Sequence, residues 1–150
     1  MPLEFSIEIK NLDKFAAKMQ QSPQLTRQYA QNAINQAGQS IRDNIREITP
    51  MKTGDLRKSV RVSYGILEAT ISTNSPYAIF VHEGTRPHTI RPLNKKALFW
   101  KGARHPVKQV FHPGTKANPF FEKGLEDSSN DIDAIFKRQM DNLMEQLTVK

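Results

Sequence analysis

The chain has no cysteine, a single tryptophan and no long apolar run in its 150 residues. The missing thiols exclude disulfide staples, thiolate metal sites and cysteine nucleophiles together, so stability has to come from packing or from neighbouring subunits. Nothing approaches the roughly 18 apolar residues of a membrane span. The start, Met1-Pro2-Leu3-Glu4, lacks the basic and apolar regions of a secretory signal, so a cytoplasmic chain without membrane contact is expected. A Gly-x-Ser-x-Gly elbow and a phosphate-binding loop are both missing, which removes the usual signs of acyl and phosphoryl transfer. Four histidines, His82, His88, His105 and His112, show neither the i, i+4 helical pair nor the spacing of a zinc site. Glu83 has no second acid nearby with which to run acid–base chemistry. No enzyme, no cofactor and no bound metal are expected.

Acid is absent from one whole stretch. Between Glu83 and Glu122 there is none, while Arg86, Arg91, Lys95, Lys96, Lys101, Arg104, Lys108 and Lys116 contribute eight positive charges, more than the net +7 of the chain. From Glu122 to Glu145 seven acids face Lys123, Lys137 and Arg138, a net of −4. Such a dipole fits nucleic-acid binding, docking of positive on negative between identical subunits, or a solvated loop. Phe99, Trp100 and Phe111 are interleaved with the lysines, a pattern a single-strand stacking platform would use. They fall in short apolar runs with the lysines between them, so strand core is the favoured reading.

What is present reads as one α+β domain over residues 1–150, the size that buries one core. Leu3, Phe5, Ile7 and Ile9 alternate with polar residues, the period of a half-buried strand. Asn11 is placed to cap a short helix to about Met19, and Ser22-Pro23 to start a long one. Leu25, Tyr29, Ala33, Ala37, Ile41, Ile45 and Ile48 recur every three or four positions, an apolar stripe opposite Arg27, Gln31, Gln39, Arg42 and Arg46. Gly38 in mid-helix marks close packing or a bend, and Thr49-Pro50 ends the helix. Val60–Tyr64 and Leu67–Thr73 read as a hairpin. The apolar run from Tyr77 to Val81 reads as a central strand buried on both faces. Residues 84–118 read as an extended basic arm or a pair of loose strands, with Ala97–Trp100 and Val107–Phe111 the strand-like pieces. Asn118-Pro119 opens a last helix, with Ser128-Ser129-Asn130 as an interruption and Asn130 as its new cap. The expected architecture is an antiparallel sheet of four to five strands against the long helix and the last one.

Four spaced motifs remain. Pro50-Met51-Lys52-Thr53-Gly54-Asp55-Leu56 has a glycine able to take positive φ and two side chains able to cap a turn, so it reads as a corner. Tyr77-Ala78 leads to Val81-His82-Glu83-Gly84-Thr85. His112-Pro113-Gly114-Thr115 then runs into Asn118-Pro119-Phe120-Phe121. In this order the four motifs resemble the small head–tail joining, or tail-completion, proteins of long-tailed bacteriophages, typified by gene product ten of a lambdoid phage. The resemblance marks Pro50, Thr53, Gly54, Leu56, Tyr77, Ala78, Val81, Glu83, Gly84, Thr85, His112, Gly114, Pro119 and Phe120 as the shared pattern, a fold signature more than an active site. It departs at Lys52, where an acid is more usual.

The resemblance implies a virion protein of the neck or the head-proximal end of the tail, assembled in the host cytoplasm. Its implied form is a homo-oligomeric ring, a hexamer or dodecamer, between the head connector or adaptor and the tail-tube or tail-terminator protein. Packaged DNA is then a passing contact. Arg86, His88, Arg91, Lys95, Lys96, Lys101, Arg104 and Lys108 are the expected interface with a neighbouring subunit or partner. The rival class is a free basic nucleic-acid-binding protein, or an assembly factor that does not stay in the particle.

Overall fold

The computed structural model describes residues 3–6 and 23–148. The expected short helix between Asn11 and Met19 lies outside them. The chain is α+β and divides into two compact units, one made of Met1–Ala78 with Phe120–Lys150 and the other of Ile79–Pro119.

The first unit is organised around α1, Pro23–Ile48. Proline at its first position loses only an N–H that has no helical partner there. At the far end Thr49 donates to the Ile45 carbonyl from its amide at 3.0 Å and from its hydroxyl at 2.5 Å, and Pro50 follows. Ala33, Ala37, Ile41 and Ile45 of the expected stripe are buried, but so are Thr26, Ala30, Ile34 and Gly38, a second row. The helix is covered from two directions. A sheet packs on one side and the last two helices on the other.

On the sheet side lie β1, Leu3–Ser6, β2, Val60–Gly65, and β3, Glu68–Thr73, antiparallel in the order β1-β3-β2. Opposite Ile71 of the central strand stand Phe5 and Val62. Ala69, Ile71 and Thr73 of β3 are buried while their neighbours are not, the period of two expected of a sheet with one covered face. Gly38 is where helix and sheet come closest: a Cβ there would lie 2.9 Å from Ala69 Cβ and 3.2 Å from Val62 Cγ2. Part of the presumed polar face of α1 is interface. Gln31 Oε1 accepts from Leu67 N at 2.7 Å, and the Arg46 guanidinium donates twice to the Val60 carbonyl, at 3.0 and 2.7 Å. These polar side chains satisfy backbone groups of the hairpin that no other strand among the described residues pairs.

Between α1 and the sheet the chain turns through α2, Asp55–Ser59. On the opposite side of α1 are α4, Phe120–Asp127, and α5, Ser129–Thr148, numbered after the short α3, Ala78–His82. Gly124 touches backbone: a Cβ would stand 2.5 Å from Ile45 Cγ1 and 2.8 Å from Ile45 Cα. The break between α4 and α5 falls at Ser128, two residues before the expected cap Asn130. Ser128 is fully buried, donates its hydroxyl to the Gly124 carbonyl and accepts from Asn44 Nδ2 at 2.8 Å. Its own carbonyl takes the first bond of α5, from Ile132 N at 2.9 Å. A serine already committed to α1 outcompetes a solvent-facing asparagine as the junction.

Two further expectations are corrected. Tyr77–Val81 is not a buried central strand. Ala78–His82 is helical, opened by Ala78 N on the Ser75 carbonyl at 3.1 Å and closed by Glu83 N on the Ile79 carbonyl at 2.8 Å, with Phe80 57% exposed. An apolar run this short carries no period that separates strand from helix, and the turn at Ser75-Pro76 decides it. Nor do the described residues form one sheet of four to five strands. The remaining strands, β4, His88–Ile90, and β5, Val110–His112, pair with each other in the second unit. Of the expected strand Ala97–Trp100 only Leu98 pairs, with Val107.

Candidate functional site

The second unit brings two of the spaced motifs together. β4 and β5 are antiparallel with His88 opposite His112, Thr89 opposite Phe111 and Ile90 opposite Val110. In the same register Thr85 and Thr115 exchange both backbone bonds, at 3.0 and 3.1 Å, and their hydroxyls meet at 3.0 Å. That register sets Pro87 against Pro113, which explains why the ladder skips there: neither proline has an N–H to give.

The glycines make this approach possible. Gly84, at φ 77°, follows α3 in the left-handed conformation that commonly ends a helix. A side chain on it would run into the Thr115 carbonyl at 2.5 Å and the Ala117 amide at 2.7 Å. Gly114, at φ 89°, faces the Thr85 carbonyl just as closely. The two segments Gly84-Thr85-Arg86-Pro87-His88 and His112-Pro113-Gly114-Thr115 are thus near mirror images in sequence that clasp each other. Beside them, Asn118 N donates to the Val81 and His82 carbonyls, at 3.1 and 3.0 Å.

Two of the four histidines close the clasp. The rings of His88 and His112 stack with centroids 5.2 Å apart. His88 Nδ1 lies 2.8 Å from the Arg86 carbonyl, and His112 Nδ1 accepts from Gly114 N at 3.1 Å. A carbonyl only accepts and an amide N–H only donates, so Nδ1 is the donor on His88 and the acceptor on His112. Among the described residues no group of three or more His, Asp or Glu side chains is arranged to hold a metal. The pairing was legible only as the reversed order of Gly-Thr, Pro and His in the two motifs.

Beyond the clasp runs a loop, residues 91–109, with Leu98 and Val107 bridging it through a double backbone bond at 2.8 and 3.0 Å. Arg91, Lys95, Lys96, Lys101, Arg104 and Lys108 are on this loop and exposed; Arg86, His88 and Lys116 are exposed on the clasp. The unit has eight cations against Glu83 alone, which equals the whole net charge of the chain and leaves the remainder neutral.

The expectation that Phe99, Trp100 and Phe111 are strand core is overturned. They are 68%, 49% and 69% exposed, as are Leu93 and Phe80, and no residue from 79 to 119 is buried. Two short strands enclose no volume, so apolar side chains on them have nothing of their own unit to pack into. Ordering a segment costs roughly 1–2 kcal/mol per residue in backbone entropy, and here no buried side chain offsets it. The unit can present charge and apolar surface to a macromolecule.

The other motif residues serve the first unit. Gly54, at φ 85°, is buried in the corner between α1 and α2. Thr53 Oγ1 donates to Asp55 Oδ2 at 2.6 Å, and Arg57 caps α1 through the Glu47 carbonyl at 2.6 Å. Leu56, Ala78 and Phe120 are buried, and Phe120 packs on Phe121 with ring centroids 5.0 Å apart. Tyr77 is exposed; Val81, half-buried, and Glu83, exposed, belong to the second unit.

Residues 13–84 match the model of the family described as Bacteriophage HK97-gp10, putative tail-component. The match takes in the Pro50–Leu56 and Tyr77–Gly84 motifs and stops before the second half of the clasp. No curated protein and no solved structure matches the chain.

Proposed function

From a chain whose residues 13–84 match a phage tail-component family, we propose that this is a structural, non-enzymatic virion protein of a tailed phage. It sits in the head-to-tail joining region as an oligomeric ring linking the head connector to the tail tube. The observation that carries the reading is the unit 79–119: eight exposed cations and several exposed aromatic and aliphatic side chains on a segment without a buried residue. Such a segment is ordered at a partner, where the contact offsets the entropy its own packing does not. A joint between two larger assemblies needs this combination of a packed body and an adaptable edge. The role of Arg86, His88, Arg91, Lys95, Lys96, Lys101, Arg104 and Lys108 is then to grip protein.

Quantitative mass spectrometry of purified particles tests it. A fixed copy number of a ring's size, far below that of the capsid and tail-tube proteins, is expected; absence from finished particles would leave an assembly factor. The second reading, a free nucleic-acid-binding protein, is favoured by the exposure of Phe99, Trp100 and Phe111 among lysines. It requires tight gel-shift binding to single strands that weakens steeply with salt.

A further inference from the structure

We propose that the basic loop held by the clasp docks on the outer face of α4 and α5 of a second copy of this chain. The inference rests on the oligomeric reading above and names the surface that reading leaves open. Outside residues 79–119 the chain is neutral overall, yet its charge is unevenly spread, with residues 120–148 carrying a net of −4. Glu126, Asp127, Asp133 and Asp141 on these helices are all exposed, and Leu125 and Met144 lie exposed among them. The loop offers the complement: Lys95, Lys96, Lys101 and Lys108, with Phe99 and Trp100 between them and Leu93 just before, all exposed. Each surface therefore offers charge together with exposed apolar side chains, the two components of a protein interface.

A nucleic acid is the weaker occupant. Phosphates satisfy the cations and bases can stack on the aromatic rings, but the aliphatic Leu93, 98% exposed, gains nothing from either. An acidic helix pair with its own exposed leucine and methionine satisfies all three. Loop and helices are different surfaces of one chain, so the contact either closes reciprocally in a two-fold dimer or repeats copy to copy into a ring or filament; the ring of the reading above uses the second arrangement.

The test uses the full chain, unlabelled and isotope-labelled copies mixed, alone at high concentration and within purified particles. Carbodiimide cross-linking is expected to join Lys95, Lys96, Lys101 or Lys108 of one copy to Glu126, Asp133 or Asp141 of another. Links confined within single chains, or none, overturn the proposal. In parallel, Lys95→Glu with Lys96→Glu and Lys101→Glu should weaken association more than tenfold. Glu126→Lys with Asp133→Lys and Asp141→Lys should do the same, and all six together should restore it, with far-UV circular dichroism unchanged throughout. Loss of association on reversing the loop but not the helices overturns this surface while leaving the ring intact. A chain that stays monomeric in particles and in solution, and shifts single-stranded DNA, overturns both.

Discussion

Helix α1 and the hairpin of residues 79–119 treat apolar side chains in opposite ways. In α1, Ala33, Ile34, Ile41 and Ile45 are all under 5% exposed, pressed between a sheet and two helices close enough that glycines are required at Gly38 and Gly124. In the hairpin, phenylalanine and tryptophan stand half to two-thirds exposed while the backbone is clasped by Thr85 and Thr115. One region is specified by side-chain packing and the other by backbone pairing. The first makes a body that folds from its own contacts. The second sets the shape of a segment and leaves its side chains for something else to cover.

The sharpest way to break this contrast is to truncate the same residue type on each side. Phe120→Ala, at a fully buried position, should cost about 3–5 kcal/mol in urea unfolding, the range for deleting a core phenylalanine. A loss under about 1 kcal/mol would mean the core does not depend on the α4–α1 contact. Next in size is Gly124→Val, whose added carbons meet the Ile45 backbone as well as its Cγ1, so that moving the side chain alone does not relieve the clash; about 2–3 kcal/mol is expected, read from the same titration.

Effects in the hairpin should be smaller and local. Gly84→Ala combines a positive φ with a collision against the Thr115 carbonyl and the Ala117 amide, a strain of about 1–3 kcal/mol. Amide exchange at Thr85 and Thr115 should accelerate while the helices melt as before; a lowered melting transition of the first unit would show that the two regions are not separately specified. Smallest on stability is Phe111→Ser, expected within about 0.5 kcal/mol of the unchanged chain. The same variant should lose association or particle incorporation, and a stability loss of 2 kcal/mol would mark Phe111 as core after all.

Much of the first unit was readable along the chain because its signals are local. Pro23 and Thr49-Pro50 bound α1, the alternation around Ile71 marks β3, and Gly65 sits at the hairpin. Gly38 marked the close packing against the sheet, but the rest of the second row of α1, with Ala30 and Ile34, was hidden because a periodic stripe reveals one covered face and gives no count of neighbours. Gln31 and Arg46 looked like solvent residues, since nothing local indicates that a hairpin edge lies within their reach. Tyr77–Val81 was misread for lack of length. Phe99, Trp100 and Phe111 were misplaced for another reason: apolar character says what a side chain gains by burial, not whether any volume is available to bury it.

By itself the sequence determined composition-level and short-range properties: a chain without thiols, cations gathered in one segment and acids in the next, helix ends at prolines, and glycines where φ is positive. These depend on residues a few positions apart, whose energies are set before the chain closes on itself. The tertiary structure alone decided that Gly84-Thr85 would meet Gly114-Thr115, that α1 would be buried from two sides, and that the aromatic residues of the loop would stay outside. Those outcomes depend on pairings across thirty or more residues, where the entropy of closing the loop is offset only by contacts that exist once both partners are in place.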